Sequence, residues 1–157
     1  MAQEIERKFL VSGEFKREAF QRERVCQGYL SSVPERVVRV RVKGEKGYLT
    51  VKGKSDERGM SRYEWEQEIA VEDAWELLEL CEPGRIDKTR YWVKCGEHVW
   101  EVDEFHGDNE GLVVAEVELG SEEEEFERPA WLGQEVTGEE RYYNAALAVC
   151  PYRSWQQ

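Results

Sequence analysis

Residues 36–43 read Arg36-Val37-Val38-Arg39-Val40-Arg41-Val42-Lys43. In an extended strand, residues i and i+2 point to the same face, roughly 6.5 to 7 Å apart. Arg39, Arg41 and Lys43 therefore share one face, against Val38, Val40 and Val42 on the other. Taken alone this is an ordinary half-exposed strand. The same parity, however, recurs along the chain. Strand-like residues 4–11 carry Glu4, Glu6 and Lys8 on one face. Residues 47–54 carry Lys52 and Lys54 against Leu49 and Val51. Residues 62–71 carry Arg62, Glu64, Glu66 and Glu68 against Tyr63, Trp65 and Ile69. Lys88 and Arg90 follow in 85–94, Glu101 and Asp103 in 98–105, and Glu116 and Glu118 in 112–119.

A water-facing sheet surface usually mixes in Ser, Thr, Asn and Gln. Here nearly every polar position is a full charge, sorted by sign from strand to strand. Ladders of like charge repel, so they call for bound counter-charges. A closed barrel with the charged face inward puts both signs in one lumen. Carboxylates suit hard cations such as Mg²⁺ or Mn²⁺. Arginine and lysine suit phosphate oxygens, arginine often bidentately. A lumen holding both suits a metal–polyphosphate complex.

The rest of the chain fills in around these strands. Residues 13–24 are expected to hold a short helix, and 26–32 a further strand. Residues 72–81 form the clearest helix, with an acidic first turn and a Pro83-Gly84 stop. Ser121 with Glu124, and Thr137 with Glu140, have capping-box spacing; they suggest a short acidic helix over 121–125 and a helix over 141–149. About eight strands joined by short turns favour antiparallel pairing. The expected fold class is α+β: a closed eight-stranded antiparallel barrel with a charged lumen and a few helices covering its apolar outer face. No linker or repeat interrupts it, so residues 1–157 are expected to be a single domain. Trp65, Trp75, Trp92, Trp100 and Trp131 are expected in core or helix-to-barrel packing.

Composition narrows the class of function. Of 157 residues 40% are apolar and 36% charged, and the net charge of −12 disfavours nucleic acid and anionic membranes as partners. The four cysteines are scattered, and only His98 and His106 could join them, so no zinc site is expected. The opening MAQEIERK lacks the apolar segment of a signal peptide, and no apolar run reaches membrane-spanning length. A cytoplasmic protein is expected, as a monomer or a homodimer.

Glu4-Ile5-Glu6-Arg7-Lys8 resembles the ExExK signature of the triphosphate tunnel metalloenzymes, the CYTH superfamily, in its bacterial inorganic triphosphatase type. The resemblance continues through RVRVK at 39–43, LTVKGK at 49–54, SRYEWE at 61–66 and DKTRY at 87–91. WEVDEF at 100–105, AEVEL at 115–119 and EVTGEERYYN at 135–144 complete it in the family's order. It implies an eight-stranded tunnel that hydrolyses the terminal phosphoryl group of a small triphosphate, using Mg²⁺ or Mn²⁺ as two ions. It further implies that Glu4, Glu6 and Glu118 hold the principal metal, with Glu116 and Asp103 serving a second metal or orienting water and Glu64 as a further candidate ligand. Arg39, Arg41, Lys52, Arg62, Lys88 and Arg90 would grip the triphosphate, with Lys8 and Arg141 near its end. Lys8, Glu4, Glu6 and Asp103 are the implied catalytic group. Glu66 and Glu101 match tunnel-facing positions, whereas Lys43, Lys54 and Glu68 lie nearer strand ends, between lumen and solvent.

The substrate is less constrained. Inorganic triphosphate is favoured because no long insertion offers a cradle for a base or a thiazolium. Thiamine triphosphate hydrolysis and class IV adenylate cyclisation are the alternatives within the family. A non-catalytic polyphosphate- or nucleotide-binding module would keep the cations without needing the carboxylates. A lipocalin-like carrier would need the opposite parity, with the valines inside.

Overall fold

The computed structural model describes residues 3–155, in which nine strands build one sheet. They are β1 (Gln3–Val11), β2 (Ala19–Ser31), β3 (Arg36–Lys43), β4 (Lys46–Gly53), β5 (Ser61–Ile69), β6 (Ile86–Cys95), β7 (His98–Phe105), β8 (Val113–Glu118) and β9 (Leu132–Glu135). The order β5-β4-β3-β2-β6-β7-β8-β1 closes on itself because β1 also pairs with β5. Every pairing is antiparallel, which gives the expected eight-stranded barrel with β9 as an added strand.

Closure depends on how β1 divides its free edge. One edge runs along β8 from Glu6 to Leu10. The other pairs with β5 only through Gln3, Glu4 and Ile5, and with β9 only at Phe9 and Val11. Between those segments only a few bonds hold the backbone, among them one from the Val136 N–H to the Lys8 carbonyl at 2.8 Å. The Glu6 N–H donates to the Met60 carbonyl at 3.1 Å and the Lys8 N–H to the Thr137 hydroxyl at 2.8 Å.

The outer face is apolar, as the parity required. Helix α1 (Val71–Glu79) lays Ala74 and Leu78, one turn apart, onto Val40 and Val42 of β3. It sits so close to β4 that a Cβ on Gly47 would stand 2.6 Å from the Ala74 Cβ, so glycine is required there. Around β1, β7 and β8, the outward Phe9, Trp100, Val102 and Val117 are covered by Phe15, Phe126 and Trp131.

Several local expectations are corrected. The 13–24 segment holds only a 3-10 turn at Lys16–Glu18; from Ala19 the chain is already strand, paired with β6. Its polar, largely exposed sequence had no apolar face by which to show a period. Residues 121–125 make a single turn rather than a helix, because the Glu124 carboxylate is drawn to the Gly120 N–H (2.6 Å) and to His98 Nε2 (2.6 Å). Thr137 does not cap a helix either: its hydroxyl donates to Glu135 at 2.7 Å and accepts from Lys8. The expected 141–149 helix is therefore a 3-10 turn at Glu140–Tyr142 followed by the short α2 (Asn144–Val149). Trp65 and Trp75 are exposed (41% and 47%), not core.

Helix α2 also departs from the expected outer cover. At one end of the barrel the lumen-side residues turn apolar: Tyr29, Val37, Ile86, Phe105 and Val114. Leu147 of α2, with Val136 and Tyr142, packs against them. The C-terminal segment thus plugs part of that end from within.

Candidate active site

The cross-strand register carries the charged parity from strand to strand. Directly opposed residues of an antiparallel pair share a face. Glu6 faces Glu118 and Lys8 faces Glu116 across β1 and β8. Glu116 faces Glu101, and Arg90 faces Asp103. Gln27 and Tyr29 of β2 oppose Arg41 and Arg39. All of these side chains except Gln27 and Asp103 line one cavity of about 1060 Å³, which extends past α2 to the loops at 32–35 and 54–57.

The lumen is strongly paired on its cationic side. Asp103, 4% exposed, accepts from Lys88 Nζ at 2.7 Å and from Arg90 Nε and Nη2 at 2.8 and 2.9 Å. Arg90 also meets Glu101 at 3.1 Å. Lys52 Nζ lies 3.2 Å from Glu4 and 3.8 Å from Glu64, Arg62 lies 3.6 Å from Glu4, and Lys8 lies 3.2 Å from Glu116. Arg39 and Arg41 share Glu66 at 3.5 and 3.4 Å, and Thr50 donates to the same carboxylate at 2.6 Å. Yet the Nε atoms of both Arg39 and Arg41 are buried without any partner. Unpaired buried donors on two adjacent guanidinium groups are costly, and they fit an anionic ligand that accepts from them.

The carboxylate wall shows the complementary tension. Burial raises the Glu6 carboxyl, and Glu116 and Glu4 add to it, up to about 8. Burial, Glu4 and Glu64 also raise Glu118. Glu4 goes the other way: burial would raise it, but Lys52 and Arg62 outweigh that and bring it to about 2. Crowded oxygen donors of one sign are what a hard divalent cation neutralises, so Glu4, Glu6, Glu116 and Glu118 fit one by chemistry. Among the described residues no three acidic, Cys or His groups are preassembled as a metal cluster. Repulsion between carboxylates, and the pull of Lys52 and Lys8, account for that spacing.

Of the expected site residues, Glu4, Glu6, Lys8, Arg39, Arg41, Lys52, Arg62, Glu64, Lys88, Arg90, Glu116 and Glu118 all line the cavity. Asp103 stands behind them, saturated by Lys88 and Arg90 rather than free for a metal. Arg141 does not join the site. It is exposed in the 3-10 turn at Glu140–Tyr142, where its guanidinium lies over Trp155 at 4.4 Å and Tyr142 at 5.2 Å.

Other lumen residues were not foreseen. Asn144 Oδ1, at the start of α2, accepts from Lys88 Nζ at 2.9 Å and from Gln27 Nε2 at 3.3 Å. Tyr143 offers its ring to Lys8 Nζ at 4.9 Å and to Arg62 at 5.4 Å. Trp92, expected in the core, shares the face of Arg90 and lines the cavity. For Thr50 and Trp92 the i, i+2 parity was a usable signal. Nothing in the sequence indicated that α2 enters the barrel.

Comparison with known proteins agrees with this geometry. Residues 2–145 match the CYTH domain family. An inorganic triphosphatase of Acetivibrio thermocellus is 48% identical over 158 residues, covering all of both chains. One from Nitrosomonas europaea is 38% identical over 150 residues, covering 93% of this chain and 97% of that protein. The crystal structure of an inorganic triphosphatase superposes with a TM-score of 0.67 at 36% identity, covering 92% of this chain and 97% of the other. With a closed charged tunnel, opposed carboxylate and cation walls and a match over most of its length, the chain belongs to the CYTH family.

Proposed function

We propose that the protein is a metal-dependent inorganic triphosphatase, cleaving the terminal phosphoryl group of tripolyphosphate, with nucleoside triphosphates as poorer substrates. The observation that carries this reading is the pair of unpartnered, buried Nε atoms of Arg39 and Arg41, set in a lumen whose other wall is carboxylate. The relatives named inorganic triphosphatase support it.

Phosphoryl transfer asks mainly for positioning and charge neutralisation. Arg39, Arg41, Lys52, Arg62 and Arg90 would hold the phosphates along the tunnel and offset repulsion among their oxygens. Glu4, Glu6, Glu116 and Glu118, with Glu64 nearby, would hold Mg²⁺ or Mn²⁺, as two ions. The ions would supply positive charge at the phosphate oxygens and acidify the attacking water. Asp103 would act on the reaction through Lys88 and Arg90, fixing where their donors point. Lys8, held by Glu116 and the Tyr143 ring, would meet the end of the phosphate chain. No covalent phosphoenzyme is needed. The four cysteines, all free thiols, fit a reducing cytoplasmic setting.

The test is phosphate release from tripolyphosphate, ATP, thiamine triphosphate and pyrophosphate with Mg²⁺ or Mn²⁺, with cyclic AMP measured in the ATP reactions. Tripolyphosphate should be turned over fastest, and Glu6→Ala should abolish it. Binding without turnover of any of the four would leave a polyphosphate-binding module instead.

A further inference from the structure

One lumen cation is held differently from its neighbours. Lys8, Arg39, Arg41, Lys52, Lys88 and Arg90 each have a carboxylate oxygen within 4.0 Å. Lys43, the last residue of β3, is half-buried and lines the same cavity. Among the described residues it forms no ion pair. Lys54 shares that lack but is exposed, beyond the end of β4. Instead of a carboxylate, Lys43 has two aromatic rings: its Nζ lies 5.4 Å from the centroid of Trp92 and 5.9 Å from that of Tyr48. A ring face attracts an ammonium without cancelling its charge.

Its position gives this arrangement a use. Lys43 stands four residues beyond Arg39, roughly 13 Å along the strand, at the end of the lumen opposite the α2 plug. Burial, with Arg41 and Arg90 next, disfavours its charged form, and the more distant Glu101 and Glu23 offset this only in part. An ammonium that is partly desolvated, near two guanidinium groups and without an acidic partner, gains most from an arriving anion. A carboxylate there would neutralise it, and free rotation would dilute it. The rings avoid both.

We propose that Lys43, slung between Trp92 and Tyr48, is the capture residue at the tunnel mouth, meeting the incoming triphosphate and keeping hold of its outer end while Arg41 and Arg90 take the phosphates further in. The inference rests on the triphosphatase reading. It adds a step of substrate capture that is separate from chemistry. Trp92 and Tyr48 are positioning residues for that ammonium.

The experiment compares wild type, Lys43→Met and Lys43→Arg. It measures kcat and KM for tripolyphosphate at several salt concentrations, and calorimetric binding of tripolyphosphate in EDTA. Lys43→Met should raise KM and Kd about tenfold, as expected for losing one charge-assisted contact. Its kcat should stay within about twofold, and the salt dependence of kcat/KM should become shallower. Lys43→Arg should restore most of the affinity, which also guards against a folding defect in the Met variant. An unchanged Kd and KM in Lys43→Met, or a loss of kcat at constant KM, overturns the capture role while the triphosphatase reading stands. If wild type binds but does not turn over, a weaker Kd in Lys43→Met keeps the capture role and removes the hydrolysis.

Discussion

Asp103→Asn tests whether the cationic wall depends on one buried carboxylate. The replacement keeps the shape but removes the charge that Lys88 and Arg90 share through hydrogen bonds of 2.7, 2.8 and 2.9 Å. It also turns an amide nitrogen toward groups that only donate. Removing one partner of a buried ion pair costs about 3–5 kcal/mol. Asparagine retains one acceptor, so the lower end, about 3 kcal/mol, is the appropriate figure. For a chain of this size each kcal/mol moves the thermal midpoint by about 2–4 °C, so a fall of about 6–12 °C is expected. Tripolyphosphate should return part of it, because its oxygens can replace the missing carboxylate; the ligand-induced rise in Tm should exceed that of wild type. The effect must also depend on pH. Burial alone would raise the Asp103 carboxyl, but Arg90 and Lys88 hold it well below its ordinary 3.8. Its contribution is therefore complete above about pH 4 and is lost as the pH falls through the depressed folded value. Scanning calorimetry in EDTA at pH 7, with and without tripolyphosphate, gives the answer. A midpoint within about 2 °C of wild type would refute the reasoning, since about 3 kcal/mol could not shift it so little.

Three further outcomes follow from the same geometry. Glu6 is raised to about 8, so in EDTA its contribution to stability is full below the ordinary 4.5 and lost as the pH rises through 8. Lys88, lowered by burial to about 7, titrates in the same window, so the variant is the reference: between pH 6 and 8 the midpoint of wild type should fall relative to that of Glu6→Gln. Adding Mn²⁺ at pH 7 should release about one more proton from wild type than from the variant; parallel pH profiles would contradict this. Burial, then Arg39 and Arg90, push Arg41 down to about 9. Arg41→Met should therefore unfold no more easily than wild type but lose about ten- to a hundredfold in kcat/KM for tripolyphosphate; wild-type turnover would remove Arg41 from the substrate. Gly59 has φ +74°, and a Cβ there would stand 2.2 Å from the Gly138 Cα. Gly59→Ala should lower stability by about 2 kcal/mol or more in urea denaturation, from left-handed strain plus the clash; an unchanged midpoint would mean that the two loops move apart freely.

Much of the barrel was legible because strand parity is a strong signal where one face is charged and the other apolar. Residues 38–43 show it at its clearest: Val40 and Val42 pack under α1, and Arg39, Arg41 and Lys43 face the lumen. The same rule placed Glu4, Glu6, Arg90, Glu116 and Glu118 correctly. It failed where that contrast fades. Residues 19–24 are polar on both faces and largely exposed, so the first half of β2 resembled a helical linker. Capping-box spacing misled at Ser121 and Thr137, because the Glu124 carboxylate went to His98 and Gly120, and the Thr137 hydroxyl went to β1. Those partners are distant in sequence, and local spacing carries no information about them. The place of α2 was hidden for the same reason: a short apolar helix looks alike whether it covers a barrel or enters it. Arg141 was misplaced with it.

The divided edge of β1 has a mechanical consequence. The strand bearing Glu4, Glu6 and Lys8 is also the one on which the ring closes, and its bond to β5 spans only Gln3 to Ile5. Rupturing that short zipper would leave the other ladders intact while separating Glu4 from Lys52 and Arg62. The barrel can therefore spring open at this strand without global unfolding, and the β5-facing amides of Glu4 and Glu6 should exchange with solvent sooner than those at the centre of β6. A ligand that bridges the two walls would act as a rivet across the joint, and its binding should slow exchange there most of all.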